Sequence, residues 1–293
     1  MNNDRFLYRR GILQLVASGV FLSTAGIALR LVELADGWQI LFYRSFALSV
    51  TILLILVFQK RSRFLDEFRG LGWNDCLLSV FLGTGFVAYV FALLYNTVAN
   101  ALFIFSCAPF LAGFLGWILL GERVATRTWF AIGISMAGLA VMVVNELAVS
   151  HYLGTLLALW IPIAYAASII AVRKSKRDNM LVALCLAGLV AGGLSAFFVT
   201  DYALTPRDLI ISLYLGVFQF GVGFTLVVLG SRYVPAAQVG LLALVEPVLA
   251  PVWVWMGVGE VPGLATIVGG TIILLAITTD GILNIKSSES HST

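Results

Sequence analysis

One carboxylate, Glu246, stands deep inside an apolar run of the chain, directly before a proline. A carboxylate near the centre of a bilayer costs several kcal/mol unless it is paired, protonated or hydrated, so it points to function by default. Arg44 is the candidate counter-charge. It lies about six residues into one apolar segment, and Glu246 lies about eleven residues into another, counted from the same side. At about 1.5 Å per residue their depths differ by roughly 7 Å, within combined side-chain reach. Two chemistries fit this spacing. Arg44 and Glu246 form an intramembrane charge pair that locks two helices, or Glu246 faces a cavity and meets a substrate ammonium or takes up a proton.

Three prolines inside apolar segments add polarity of another kind. Pro109 and Pro247 each remove a backbone hydrogen bond and free the carbonyl four residues earlier, on Phe105 or Ala243. Free backbone groups at membrane depth are tolerated only against protein or a wet cavity. Pro162 adds a third expected break, and all three are candidate gating points. Around them stand the residues expected to line a cavity and bind substrate: Tyr89, Trp160, Tyr165, Gln219, Ser18, Ser106, Gln238 and Glu246. Together they offer π-faces and neutral hydrogen-bonding groups, which suits a zwitterionic or amphipathic metabolite better than a phosphate or a metal ion. Any one of them could instead pack between helices or face lipid. Glu122 and Glu260 lie at segment ends and read as caps.

Other chemistries find little support. Cys76, Cys107 and Cys185 lack metal-ligand spacing and read as small buried hydrophobes. The two histidines, His151 and His291, lie outside the apolar segments. No metal site and no cofactor is expected. An intramembrane enzyme would need paired acids, a metal site or an activated nucleophile, and none is visible. No nucleotide motif and no basic–aromatic patch for nucleic acid is present.

These residues must be positioned by membrane helices. The chain is 60% hydrophobic and 11% charged with a mean hydropathy of +1.00, so lipid has to be its solvent. A spanning helix needs about 20 apolar residues. Ten segments satisfy that ruler: 11–29, 38–58, 74–95, 97–120, 127–144, 153–172, 180–200, 208–230, 234–257 and 262–283. The first reads as a retained helix and not a cleaved signal, because no small-residue cleavage pattern follows it. Fifteen of the eighteen Lys and Arg fall in one alternating set of loops, which places both termini in the cytoplasm. Gly188 and Gly192 form a small-xxx-small pair for close helix packing.

The chain also repeats itself. Residues 83–122 pair without a gap to 221–260, with 12 identities in 40 positions, among them Gly83/Gly221, Pro109/Pro247, Trp117/Trp255 and Glu122/Glu260. Composition alone would give roughly four, so an internal repeat is the better account. Gly11, Leu13, Ala28 and Arg30 likewise match Gly154, Leu156, Ala171 and Arg173. Five spans per unit is an odd number, so the second copy would enter the membrane from the opposite side, as in many secondary transporters. The expected organisation is an all-α membrane protein of ten transmembrane helices in two inverted five-helix repeats, residues 1–147 and 148–285, followed by a disordered polar tail, 286–293.

The Pro-containing helix that ends in Gly-Glu, present as Pro109…Gly121-Glu122 and Glu246-Pro247…Gly259-Glu260, resembles the EamA-type branch of the drug/metabolite transporter superfamily. Tyr43-Arg44 early in the second span and Arg-Tyr-Val-Pro-Ala-Ala at 232–237 support the resemblance, which covers all ten segments. Within that family the chain is most similar to bacterial exporters of amino acids, including aromatic ones. The resemblance implies a secondary or facilitative exporter of small metabolites in the bacterial inner membrane, working by alternating access around a midplane cavity. A multidrug exporter of the same fold is the alternative. The implied partners are a small metabolite and lipid, and a monomer is compatible with this arrangement. Glu246 has Ala108 as its first-half partner, so site chemistry must be asymmetric.

Overall fold

The computed structural model describes residues 2–61, 64–95, 98–143, 152–175, 180–259 and 261–290. Among them the architecture is entirely helical, with no strand. Eight helices are long and apolar enough to cross a membrane: Arg5–Arg30, Gly37–Gln59, Trp73–Tyr95, Phe103–Leu120, Tyr152–Lys174, Pro206–Gly230, Ala236–Val258 and Leu264–Leu283. Two shorter apolar helices, Thr126–Met142 and Leu181–Ala196, occupy the fifth and seventh expected positions. Large apolar side chains such as Phe46, Leu54, Phe130 and Leu275 point outward, as a lipid-facing surface requires. The chain is therefore an integral membrane protein.

Several of these spans are compound. The first is α1 (Asn2–Leu22) and α2 (Ala25–Arg30), broken at Ser23–Thr24. The second is α3 (Gly37–Lys60), which opens on a capping box: the Asp36 carboxylate accepts from the backbone of Gln39, whose side chain accepts in return from Asp36. A short helix, α4 (Phe64–Arg69), leads to α5 (Trp73–Tyr95). The fourth span divides into α6 (Val98–Phe105) and α7 (Ala108–Leu120); α8 (Thr126–Val143) follows. The second half begins with α9 (Tyr152–Lys174) and α10 (Leu181–Ala196). Its third span is α11 (Pro206–Tyr214), a π-helical stretch over Leu215–Val222, and α12 (Gly223–Gly230). Then come α13 (Ala236–Ala243), α14 (Val245–Val258) and α15 (Leu264–Ser290).

The breaks at Ser106–Cys107 and at Leu244 fall just ahead of Pro109 and Pro247, where each ring removes an amide donor. Pro162 behaves otherwise. It is buried within α9, which runs through it without interruption, so the third expected break is absent. A single missing bond inside a well-packed helix is tolerated when neighbouring helices hold it. The last helix also passes its expected end at 283 and continues to Ser290, through residues placed in the polar tail.

The helices pack in a set of close pairs. α5 lies against α9, and α12 against α1; α7 lies against α9, and α13 against α1; α5 lies against α10, and the π-helical stretch against α3. α3 with α10, α7 with α13, and α8 with α15 complete the set. Exchanging the repeated segments returns α5–α9 as α12–α1 and α5–α10 as the π-helical stretch with α3, but it does not return the α7–α13 pair. Two contacts show why small residues are needed. A Cβ on Gly188 would meet Ser49 Oγ at 2.3 Å, and one on Gly240 would meet the Pro109 backbone at 2.6 Å. The second contact seats α13 against the start of α7, just past the break.

Candidate functional site

A cavity of about 520 Å³ lies between α1–α2, α5 and α14. Its walls are mostly apolar, with Leu29, Leu93 and Val254 typical and Ser23, Arg30 and Thr266 among the exceptions, and it reaches the loops at Glu33–Ala35 and Val261–Gly263. Tyr89 and Glu246 line this cavity and also a smaller chamber of about 50 Å³. They form the partition between the two spaces. Tyr89, on α5, donates its hydroxyl to Glu246 Oε1, on α14, at 3.2 Å. Glu246 can stand here because the break at Leu244 starts a new helix, with the carboxylate in its first turn, where the helix dipole favours negative charge.

The small chamber is bounded by rings, among them Phe86, Phe105, Tyr165, Phe220 and Phe224. Phe86, Phe220 and Phe224 contact one another with centroids 4.4–5.1 Å apart. Gln219 supplies its neutral polar group. Gln219 Nε2 reaches the Leu22 carbonyl at 3.4 Å, while Oε1 is buried with no partner. Both Gln219 and Phe220 sit in the π-helical stretch, an irregularity that recurs at functional sites because it re-aims side chains out of the helical register.

The expected charge pair does not form. Arg44 is buried, but its guanidinium lies 4.0 Å over the Phe220 ring and Nη2 donates to the Phe86 carbonyl at 3.2 Å. Depth along the helices had suggested contact; the aromatic layer of Phe86 and Phe220 stands in the way. Arg44 is thus held by π-density and one backbone carbonyl, with its Nε buried and unpartnered, and Glu246 accepts from a phenol.

Of the expected lining residues, Tyr89, Tyr165, Gln219 and Glu246 come together around the chamber. The others do not. Trp160 lines neither space and donates its indole N–H to Thr84 Oγ1 at 3.0 Å, fastening α9 to α5. Ser18 and Ser106 return their hydroxyls to backbone carbonyls of their own helices, on Leu15 and Phe103. Gln238 belongs to a separate buried network: it accepts from Tyr8 at 2.8 Å and donates to Asp280 at 3.4 Å, and Asp280 also accepts from Thr128 at 2.8 Å. Asp280 escaped the sequence reading, although an acid within 262–283 was the available signal.

Each end of the bundle has its own polar fastening. Near the large cavity, the buried Asp208 carboxylate accepts from the backbone N–H groups of Glu33, Leu34 and Ala35 at 2.9–3.1 Å, pinning the loop after α2. Thr205-Pro206-Arg207-Asp208 carries the N-cap pattern that could have revealed it. At the opposite end, Glu122 pairs with Arg173 of α9 and accepts from the Ala236 N–H at 2.9 Å, capping α13. Arg173 also donates to the carbonyls of Ser231 and Val234. Glu122 is therefore a cap and a cross-half staple together. Its repeat partner Glu260, with His151 and His291, lies outside the described residues.

A helical membrane bundle whose broken helices surround a closed-ended cavity is the form of a small-solute carrier. Residues 9–144 and 152–279 both match the EamA-like transporter family, and the chain belongs to it. An uncharacterized transporter of Archaeoglobus fulgidus is 27% identical over 271 residues, covering 92% of this chain and 95% of its own. The uncharacterized transporter YwfM of Bacillus subtilis is 26% identical over 176 residues, 58% of this chain and 60% of its own. A solved crystal structure shares the fold with a TM-score of 0.79 at 17% identity, covering 93% of this chain and 98% of that one.

Proposed function

We propose that this transporter exports small amphipathic metabolites, amino acids with aromatic or other apolar side chains among them, by alternating access. The observation that carries the reading is the Tyr89–Glu246 partition lining a mostly apolar cavity. Apolar walls accept the body of such a molecule through burial, at about 25 cal/mol per Å². Glu246, the carboxylate residue that lines both spaces, supplies a polar contact of defined sign. All ten apolar helices would cross the membrane, including the two shorter ones, with the halves inverted and both termini cytoplasmic. The large cavity then faces outward, and the Glu122–Arg173 staple closes the cytoplasmic end. An inner-membrane location and a non-enzymatic role follow from the same reading. Export requires the staple to open, the site to load from the cytoplasm and the outer cavity to close behind it.

Counter-flow of labelled amino acids into proteoliposomes, run as a panel, tests this. Exchange-dependent uptake of aromatic or branched apolar members is the expected result. Absence of counter-flow for every member would remove amino acids as the substrate class.

A further inference from the structure

The small chamber beneath Tyr89 has a chemistry distinct from that of the large cavity. Two residues that carry acceptors line it, Glu246 and Gln219, and the Gln219 Oε1 is buried without a hydrogen-bond partner. The Tyr89 hydroxyl is committed to Glu246, and the Tyr165 hydroxyl can accept as well as donate. The remaining wall is largely ring surface. Acceptors and π-faces attract a cation and repel an anion.

Size narrows the guest further. A volume of about 50 Å³ is room for one or two waters, at about 30 Å³ each in the liquid. An ammonium head group fits and an aromatic ring does not. Arg44, behind the Phe220 ring, is a positive charge that opposes a divalent ion twice as strongly as a monovalent one at the same distance. Among described residues, the cation lining either space is Arg30, near the loops of the large cavity, so nothing at depth recognises a carboxylate.

We infer that the chamber is an ammonium subsite: it seats the protonated amine of a guest between Glu246 and Gln219 Oε1, with the apolar body in the large cavity. Tyr89 swings aside to admit it, exchanging its bond to Glu246 for the ammonium. The inference rests on the transporter reading and narrows its substrate to amines; the amine is required and the carboxylate is not.

The test is calorimetric titration of the purified full-length protein at neutral pH with phenethylamine and with 3-phenylpropionate, which share a ring and differ in the charged end. Phenethylamine should bind at least about tenfold more tightly, the scale of a charge-assisted hydrogen bond. Gln219→Leu should weaken phenethylamine by about fivefold or more while leaving the melting temperature near that of the parent. Absence of phenethylamine binding, equal binding of the two compounds, or an unaltered Gln219→Leu would each overturn the subsite. The wild-type comparison decides the matter if the variant fails to fold. Amino-acid counter-flow separates the two failures. Flux with equal amine and acid binding retires the subsite and keeps the transporter reading. Selective amine binding without amino-acid flux supports the subsite and retires amino acids as cargo.

Discussion

The Tyr89 hydroxyl lies 3.2 Å from Glu246 Oε1, joining α5 of the first repeat to α14 of the second across the boundary between two cavities. The most buried acid of the site is therefore held by a phenol from the opposite half, so separation of α5 from α14 would break this bond.

Tyr89→Phe removes the donor and keeps the ring. A hydrogen bond to a charged group contributes about 1.5–3 kcal/mol net, so a lower detergent melting temperature is expected. Flux should fall while the ring still packs near Phe220, 6.4 Å away. Unchanged melting and unchanged flux together would mean that the bond bears on neither stability nor transport.

Arg44 and Glu246 have separate partners, so they should behave as loosely linked charges and not as a broken pair. Breaking a buried ion pair from one side costs about 3–5 kcal/mol and is relieved when both charges go. Here Arg44→Met should destabilise through loss of its contacts to Phe86 and Phe220, and adding Glu246→Gln should recover less than half of that loss. Full rescue in a double-mutant cycle read by melting temperature would restore the direct pair.

Trp160 offers a control close to the site. It faces Thr84 and Phe81 and not either cavity. Trp160→Phe should lower stability by about 0.5–1.5 kcal/mol, one neutral hydrogen bond, and leave substrate affinity unchanged. Tyr165→Ala, in contrast, opens the chamber wall and should weaken binding several-fold. Equal effects of the two on affinity would contradict the placement.

The sequence revealed what depends on the backbone and little of what depends on helix rotation. The breaks near Pro109 and Pro247 were legible because a missing amide acts locally. So were most of the spans, since length and hydropathy suffice. The facing direction of Trp160, Ser18 and Ser106 was not. In a soluble helix one apolar stripe marks the inside, but here lipid and core are both apolar, so periodicity carries no azimuth. The π-helical stretch compounds this, because one extra residue per turn rotates everything beyond it by about 100°. Gln219 and Phe220 reach the chamber from that irregular stretch, and Phe220 is what keeps Arg44 from Glu246. Interhelical partners such as Glu122 with Arg173 required the tertiary fold, since 51 residues separate them.

The Glu122–Arg173 staple sets the last prediction. Glu122 touches α9 through Arg173 and the start of α13 through the Ala236 N–H, and Arg173 adds the Ser231 and Val234 carbonyls, so one cluster holds α7, α9 and the α12–α13 turn together. The pair is about four-fifths buried on each side, where an ion pair is screened less than at an open surface. Glu122→Gln keeps the shape and the N–H acceptor while removing the charge. Closure at this end should weaken, and a single cysteine at Ala164, on the chamber wall, should react faster with a membrane-impermeant thiol reagent in inside-out vesicles. A several-fold rise is expected, with little change from the opposite face. If Glu122→Gln leaves Ala164→Cys equally protected from both sides, the staple is a structural fastening and the closed end is held by helix packing alone. If reactivity rises from the outer face instead, the assignment of this end to the cytoplasm is reversed.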